Sequence, residues 1–299
     1  MIICRRLKYL KTRKADLSLN EIIVTGASGF IGRNLVPQLC GVGYKVISAD
    51  IESGDVTEDS TWMKFPQAEA VIHLAAKTFV PDSWADPAAY IKCNLLGTVA
   101  ALNYCIKNNA RLILLSSYLY GNPETLPISE TAPIVANNPY ALSKKLAEEV
   151  CRFYSERFDE VNITILRLFN VYGPGQPENF LIPSIIRQVN AGQVIKVKDL
   201  EPKRDYVYVG DVTLSIIKSL HGPRKLNIFN IGSGTSYSVK EIIKIIQYLK
   251  KTSLPVYSSA ERRKDEIMNT VADITLAKRQ LDWVPQWTLH QGLKKCLSG

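Results

Sequence analysis

Short, nearly continuous apolar runs alternate along the chain with longer stretches of helical character. The runs are Glu21–Thr25, Lys45–Ala49, Ala70–Leu74, Arg111–Leu115 and Asn162–Leu168. The helical stretches lie near 31–40, 87–108 and 140–157. A strand that is apolar on both faces must be covered on both faces, which a parallel sheet flanked by helices provides. The alternation therefore predicts an α/β fold with a doubly wound parallel sheet. After Leu168 the texture changes. Val171-Tyr172-Gly173-Pro174-Gly175-Gln176-Pro177 reads as a loop, and the later elements are shorter and mixed. The expected organisation is an N-terminal extension over 1–20, a sheet domain over 21–168 to which 207–230 returns, and a smaller substrate region built from 169–206 and 231–299.

Composition narrows the classes. Of 299 residues, 46% are hydrophobic, enough for a sizeable core. No apolar run approaches the 18 or more residues of a membrane span. The net charge of +9 raises nucleic acid as a partner, but its distribution argues against one. Residues 1–20 carry Arg5, Arg6, Lys8, Lys11, Arg13 and Lys14 against the single acid Asp16, so the body is only mildly basic. That leading segment reads as a solvated extension. Six cysteines with no C-x-x-C pair fit a reduced, cytoplasmic protein. Three widely spaced histidines without H-E-x-x-H argue against a metal site.

Two motifs carry chemistry. Gly26, Gly29 and Gly32 follow the first strand and open a helix, the context in which backbone amides approach a pyrophosphate. Asp50 ends the next strand, 24 residues after Gly26. A carboxylate there accepts hydrogen bonds from an adenosine ribose and repels a 2′-phosphate, which favours NAD over NADP. Tyr140 stands four residues before Lys144, so a helix places both on one face. A phenol beside a cation is expected to have a lowered pKa and to act as an acid–base catalyst. His73, in an apolar run, reads as structural.

The order of these and other motifs resembles the extended short-chain dehydrogenases/reductases of the sugar-nucleotide epimerase/dehydratase family. The matching pieces are Thr25-Gly26-Ala27-Ser28-Gly29-Phe30-Ile31-Gly32, Asp50, Gly54-Asp55-Val56, His73-Leu74-Ala75-Ala76, Asn94, Ser116 before Leu119-Tyr120-Gly121, Tyr140-x-x-x-Lys144, Arg167 to Gly175, Arg204-Asp205-Tyr206, Asn230-Ile231-Gly232 and Arg262 to Asp265. They span roughly 20–290. The resemblance implies that the glycine turn (Gly26, Ser28, Gly29, Phe30, Ile31, Gly32) holds the NAD pyrophosphate and Asp50 the adenosine ribose. It implies Asp55 and Val56 at the adenine, Leu74, Ala75, Ala76 and Asn94 along the cofactor, and Phe169 near the nicotinamide. Lys144 would bind the nicotinamide ribose. Ser116 would bind the sugar hydroxyl, and Asn170, Arg204 and Arg262 the substrate diphosphate; Thr78 and Ser83, in the loop after the third strand, are further candidates for substrate contact, with no assigned place. Counting back three residues from Leu119 selects Ser116, while its neighbour Ser117 is a rival, as Arg263 is to Arg262.

The implied activity is 4-epimerisation of a nucleotide-diphosphate sugar by a homodimer. A 4-keto-sugar reductase or a dehydratase is the alternative on the same fold. Family members that dehydrate carry an acid just after the catalytic hydroxyl, and here Ser117 and Tyr118 follow Ser116. A catalytically silent NAD-binding protein would show a broken Ser/Tyr/Lys set, and this one is intact.

Overall fold

Six strands form one all-parallel sheet in a computed structural model that describes residues 20–261 and 266–298. The basic residues of the leading segment, and Arg262, lie outside the described residues. The first half of the fold runs β1 (Glu21–Thr25), α1 (Phe30–Gly41), β2 (Lys45–Ala49), α2 (Asp59–Trp62), β3 (Ala70–His73), α3 (Val80–Ala85) and α4 (Pro87–Ile91). A π-helical turn, Lys92–Leu96, leads into α5 (Gly97–Asn108), β4 (Arg111–Ser117), α6 (Pro139–Arg157) and β5 (Asn162–Leu168). Then come β6 (Asn170–Tyr172), α7 (Leu181–Asn190), β7 (Ile195–Val197), β8 (Lys203–Tyr208), α8 (Val209–Ser219) and β9 (Leu226–Ile231). The chain ends with β10 (Ser236–Ser238), α9 (Val239–Lys250), β11 (Val256–Ser258), α10 (Thr275–Leu281) and α11 (Leu289–Ser298).

The main sheet has the order β2-β1-β3-β4-β5-β9. The chain moves outward from β1 to β2 and then crosses back to β3. The strand order therefore reverses between β1 and β3, where open α/β sheets bind ligands at their carboxyl ends. Side-chain alternation explains the double cover. Ile22, Val24, Ile72 and Ile113 pack with Leu35 and Leu39 of α1 and Val212 and Ile216 of α8. Ile23, Val71, Leu112 and Leu114 pack on the other face with Ala101 and Leu102 of α5 and Ala147 and Cys151 of α6.

Two elements differ from the apolar pattern. β4 extends two residues past its apolar run, because Ser116 and Ser117 continue the ladder opposite Arg167 and Leu168. The stretch 87–108 is not one helix, since the π-helical turn interrupts it. β9 joins the main sheet beside β5, and α8 packs against α1. A separate apolar cluster, including Tyr172, Ile182, Ile185, Ile242, Ile246 and Leu293, holds the second region together. Among the described residues, no helix is long and apolar enough to cross a membrane.

Candidate active site

The glycine turn is a backbone cradle. Gly26 adopts φ +68°, and a Cβ there would lie 2.9 Å from the Ala75 amide nitrogen. A Cβ on Gly32 would lie 2.3 Å from the Ala27 carbonyl oxygen, so only glycine lets α1 start this close to the turn. Ser28 donates its amide N–H and its hydroxyl to Asp50 Oδ1, both at 2.9 Å, which ties the end of β2 to the turn. Phe30 and Ile31 form the half-buried first turn of α1 behind Gly29. An open backbone turn, a helix N-terminus and a carboxylate at the next strand end together fit a dinucleotide with a free ribose 2′-hydroxyl.

The loop after β3 is held from both sides. The Thr25 hydroxyl oxygen accepts the amide N–H groups of Leu74 and Ala75 at 3.1 Å and lies 2.9 Å from His73 Nδ1. His73 is buried and its pKa falls to about 3, through burial and then the charge of Lys144, so it stays neutral. Asn94, in the π-helical turn, accepts the Lys77 amide at 2.9 Å and donates to the Lys77 carbonyl at 3.0 Å and the Ser143 hydroxyl at 2.8 Å. It therefore clamps 74–77 to α6. A π-bulge of this kind commonly marks a functional site. Asp55 accepts from the Thr57 amide and hydroxyl at 2.9 Å and pairs with Lys92 at 3.3 Å. The Val56 carbonyl accepts the Trp62 indole N–H at 2.9 Å.

Tyr140 and Lys144 start α6, which Asn138 caps by accepting the Ala141 amide at 2.8 Å. Lys144 Nζ is buried and donates to the Leu115 carbonyl at 2.8 Å. Burial pushes its pKa down to about 8. The expected lowering of the Tyr140 pKa is absent. Burial pushes the phenol up to about 12, opposed by a hydrogen bond from the Ser117 hydroxyl. The physical reason is dehydration: burial penalises the phenolate, and the Lys144 ammonium is turned to the Leu115 carbonyl.

The two neighbouring serines are placed differently. Ser116 is buried and donates its hydroxyl to Glu148 Oε1 at 2.6 Å, beneath the site. Successive side chains of a strand point to opposite faces. Residues 112, 114 and 116 of β4 accordingly face α6, while Ser117 is the last residue of the strand, where the alternation ends and its hydroxyl acts on Tyr140. Counting from Leu119 took no account of how far the strand extends. Replacing Ser117 with Ala is expected to lower turnover by about 100-fold, well beyond the effect of Ser116→Ala. Steady-state kinetics of the two variants on one substrate checks this.

The remaining residues fall around the strand ends. Phe169 is buried and stacks on Tyr118, with ring centroids 5.4 Å apart at 22°. Thr78 is exposed at the rim. Asn170 donates to the Asp205 carbonyl at 3.3 Å. The Arg204 guanidinium is engaged by the Glu266 carboxylate and the Ile267 carbonyl. Glu148 and Arg167 received no role from the sequence. Helical spacing could have found the first, because Glu148 repeats the four-residue step from Tyr140 to Lys144.

A glycine cradle at the switch point of a parallel sheet, beside a serine, a tyrosine and a lysine, defines an NAD-binding Rossmann-fold enzyme. The chain belongs to the NAD dependent epimerase/dehydratase family, whose pattern matches residues 22–232. It is similar to a putative UDP-glucose 4-epimerase of Methanocaldococcus jannaschii, 32% identical over 93% of this chain and 97% of that protein. A GDP-6-deoxy-D-mannose reductase of Pseudomonas aeruginosa is 29% identical over 93% of this chain and 96% of its own. The crystal structure of a Thermotoga maritima UDP-glucose 4-epimerase with UDP-glucose superposes with a TM-score of 0.86 at 27% identity, covering 93% and 97% of the two chains.

Proposed function

We propose that the enzyme epimerises a nucleotide-diphosphate sugar at C4 through a transient 4-keto sugar. One observation carries this reading over dehydration: the residue after Ser117 is Tyr118, whose ring stacks on Phe169. Elimination of water needs an acid to protonate the departing hydroxyl, and an aromatic ring occupies that position. Relatives named as UDP-glucose 4-epimerases support the same reading.

In this mechanism Ser117 holds the C4 oxygen and Tyr140, as phenolate, takes its proton. Lys144 supplies the local positive charge that steadies the phenolate, and Asn94 fixes the loop against which the cofactor lies. NAD held by the glycine turn and Asp50 would supply the hydride acceptor and donor and an added positive charge. Tyr140 then returns the proton once the keto sugar has presented its other face. Redox is balanced over the cycle, so the reaction needs no external oxidant or reductant. Asn170, Arg204 and Arg262 hold the diphosphate, since guanidinium groups suit phosphate oxygens, within a substrate region drawn from 169–206 and 231–299. Helices α5 and α6 form the homodimer face, where Leu142 and Phe153 are exposed.

The test is incubation of purified protein, with no added cofactor, with UDP-, dTDP-, GDP- and CDP-sugars, the products being resolved by NMR. The expected result is conversion of one sugar to its C4 epimer. The Pseudomonas reductase makes oxidation of added NAD(P)H by a 4-keto sugar the informative contrary outcome. Accumulation of a 4-keto-6-deoxy sugar would make the enzyme a dehydratase.

A further inference from the structure

Beneath the site lies a buried ion pair that the mechanism does not use. Glu148 is fully buried and Arg167 is 1% exposed. Arg167 Nη2 donates to Glu148 Oε2 at 2.7 Å, and its Nε contacts both carboxylate oxygens at 3.1 and 3.2 Å. The remaining guanidinium nitrogen, Nη1, donates to the Tyr120 hydroxyl and the Glu130 carbonyl, both at 2.9 Å. The Tyr120 hydroxyl donates in turn to Asn230 Oδ1 at 2.6 Å. Two charges removed from water are a poor source of stability, because an apolar pair of the same volume does as well or better. Their placement offers a different rationale. Glu148 stands one helical turn below Lys144 on α6. Its Oε1 also accepts the hydroxyl of Ser116, the chain neighbour of Ser117, and its partner Arg167 stands two residues before Phe169.

We propose that Glu148 is a positioning residue: its carboxylate cross-ties α6, β4 and β5, seats Ser117 against Tyr140, and sets its charge one helical turn from Lys144. The first two effects are geometric. The third is electrostatic, since a buried carboxylate favours a nearby ammonium. The groups acting on Lys144 are Cys93 from the π-helical turn, His73 from β3, the Leu115 carbonyl from β4 and Glu148 from its own helix. His73 is neutral and the Cys93 thiol is raised by burial, so the charge left to oppose the dehydration of Lys144 is that of Glu148. Ser117, Tyr118 and Tyr90 act on Tyr140.

The charge readout needs no substrate. Protein labelled at lysine Cε is titrated by NMR, with Lys144 assigned through Lys144→Met. Glu148→Gln is expected to lower the Lys144 midpoint by about one pH unit, and Ser116→Ala is expected to leave it in place. Where Glu148→Gln does not fold, because Arg167 is left unpaired, Glu148→Gln with Arg167→Met removes both charges and gives the same downward direction. An unchanged Lys144 midpoint in the folded variant overturns the proposal. The positioning readout rests on the proposed epimerase activity. Ser116→Ala should lower kcat by about tenfold with little change in KM. Wild-type kcat in Ser116→Ala removes the cross-tie from the proposal. If the Lys144 midpoint moves while no nucleotide sugar reacts, the epimerase reading fails and the role of Glu148 stands.

Discussion

Tyr140→Phe is expected to lose about 10²- to 10⁴-fold in turnover while the fold and the bound NAD are retained. The change removes one hydroxyl and almost no volume, so packing against Tyr90, whose ring lies edge-on at 6.4 Å, survives. What is lost is the phenol hydroxyl on which Ser117 acts, a group that can exchange a proton. The high phenol pKa sharpens the expectation. At about 12 the phenol alone is a poor source of phenolate near neutral pH, so catalysis needs the nearby positive charges that favour the ionised form. Steady-state kinetics beside the absorbance of bound cofactor and a thermal melt separates lost chemistry from lost structure. A variant with near wild-type turnover would remove Tyr140 from the acid–base role.

Gly32→Ala is expected to disable the protein by another route, through the cofactor cradle. The new methyl would meet the Ala27 carbonyl oxygen at 2.3 Å and the Gly26 carbonyl oxygen at 2.5 Å, and both are backbone. A side chain could rotate aside, but here the glycine turn or the start of α1 must move. Overpacking of this kind costs about 1–3 kcal/mol, and the displaced amides no longer converge on the pyrophosphate. NAD affinity should fall at least tenfold, read by titration of cofactor-stripped protein, with a lowered Tm. Gly41→Ala, at the far end of the same helix, is the control. A Cβ there meets nothing within 4 Å, so affinity should be unchanged. Equal affinity in Gly32→Ala and wild type would separate the turn from cofactor binding.

Much of the site was legible because its parts are local. The spacing of Gly26, Gly29 and Gly32 between a strand and a helix, and the four-residue step from Tyr140 to Lys144, each lie within one strand–helix unit. Backbone periodicity alone relates such residues. The parallel sheet was legible for a similar reason: Ile22-Ile23-Val24 and Leu112-Ile113-Leu114-Leu115 are apolar at successive positions, and both faces of a strand can be buried only between two layers.

What the sequence could not supply was any relation that depends on where one element ends against another. Where Ser116 and Ser117 stand depends on how far β4 pairs with β5, and the ladder runs to Ser117 opposite Leu168. The Tyr140 pKa depends on how much water the assembled site excludes, and so the phenol stands high where the neighbouring lysine suggested low. The Glu148–Arg167 pair joins residues 19 positions apart, on a helix and a strand that meet only in the folded core. The sequence by itself determined the sheet, the cradle and the tyrosine–lysine step, because periodicity and short spacing are written along the chain. Only the tertiary structure decided the placement of the two serines, the protonation balance and the buried ion pair, because register, dehydration and side-chain contact arise between elements.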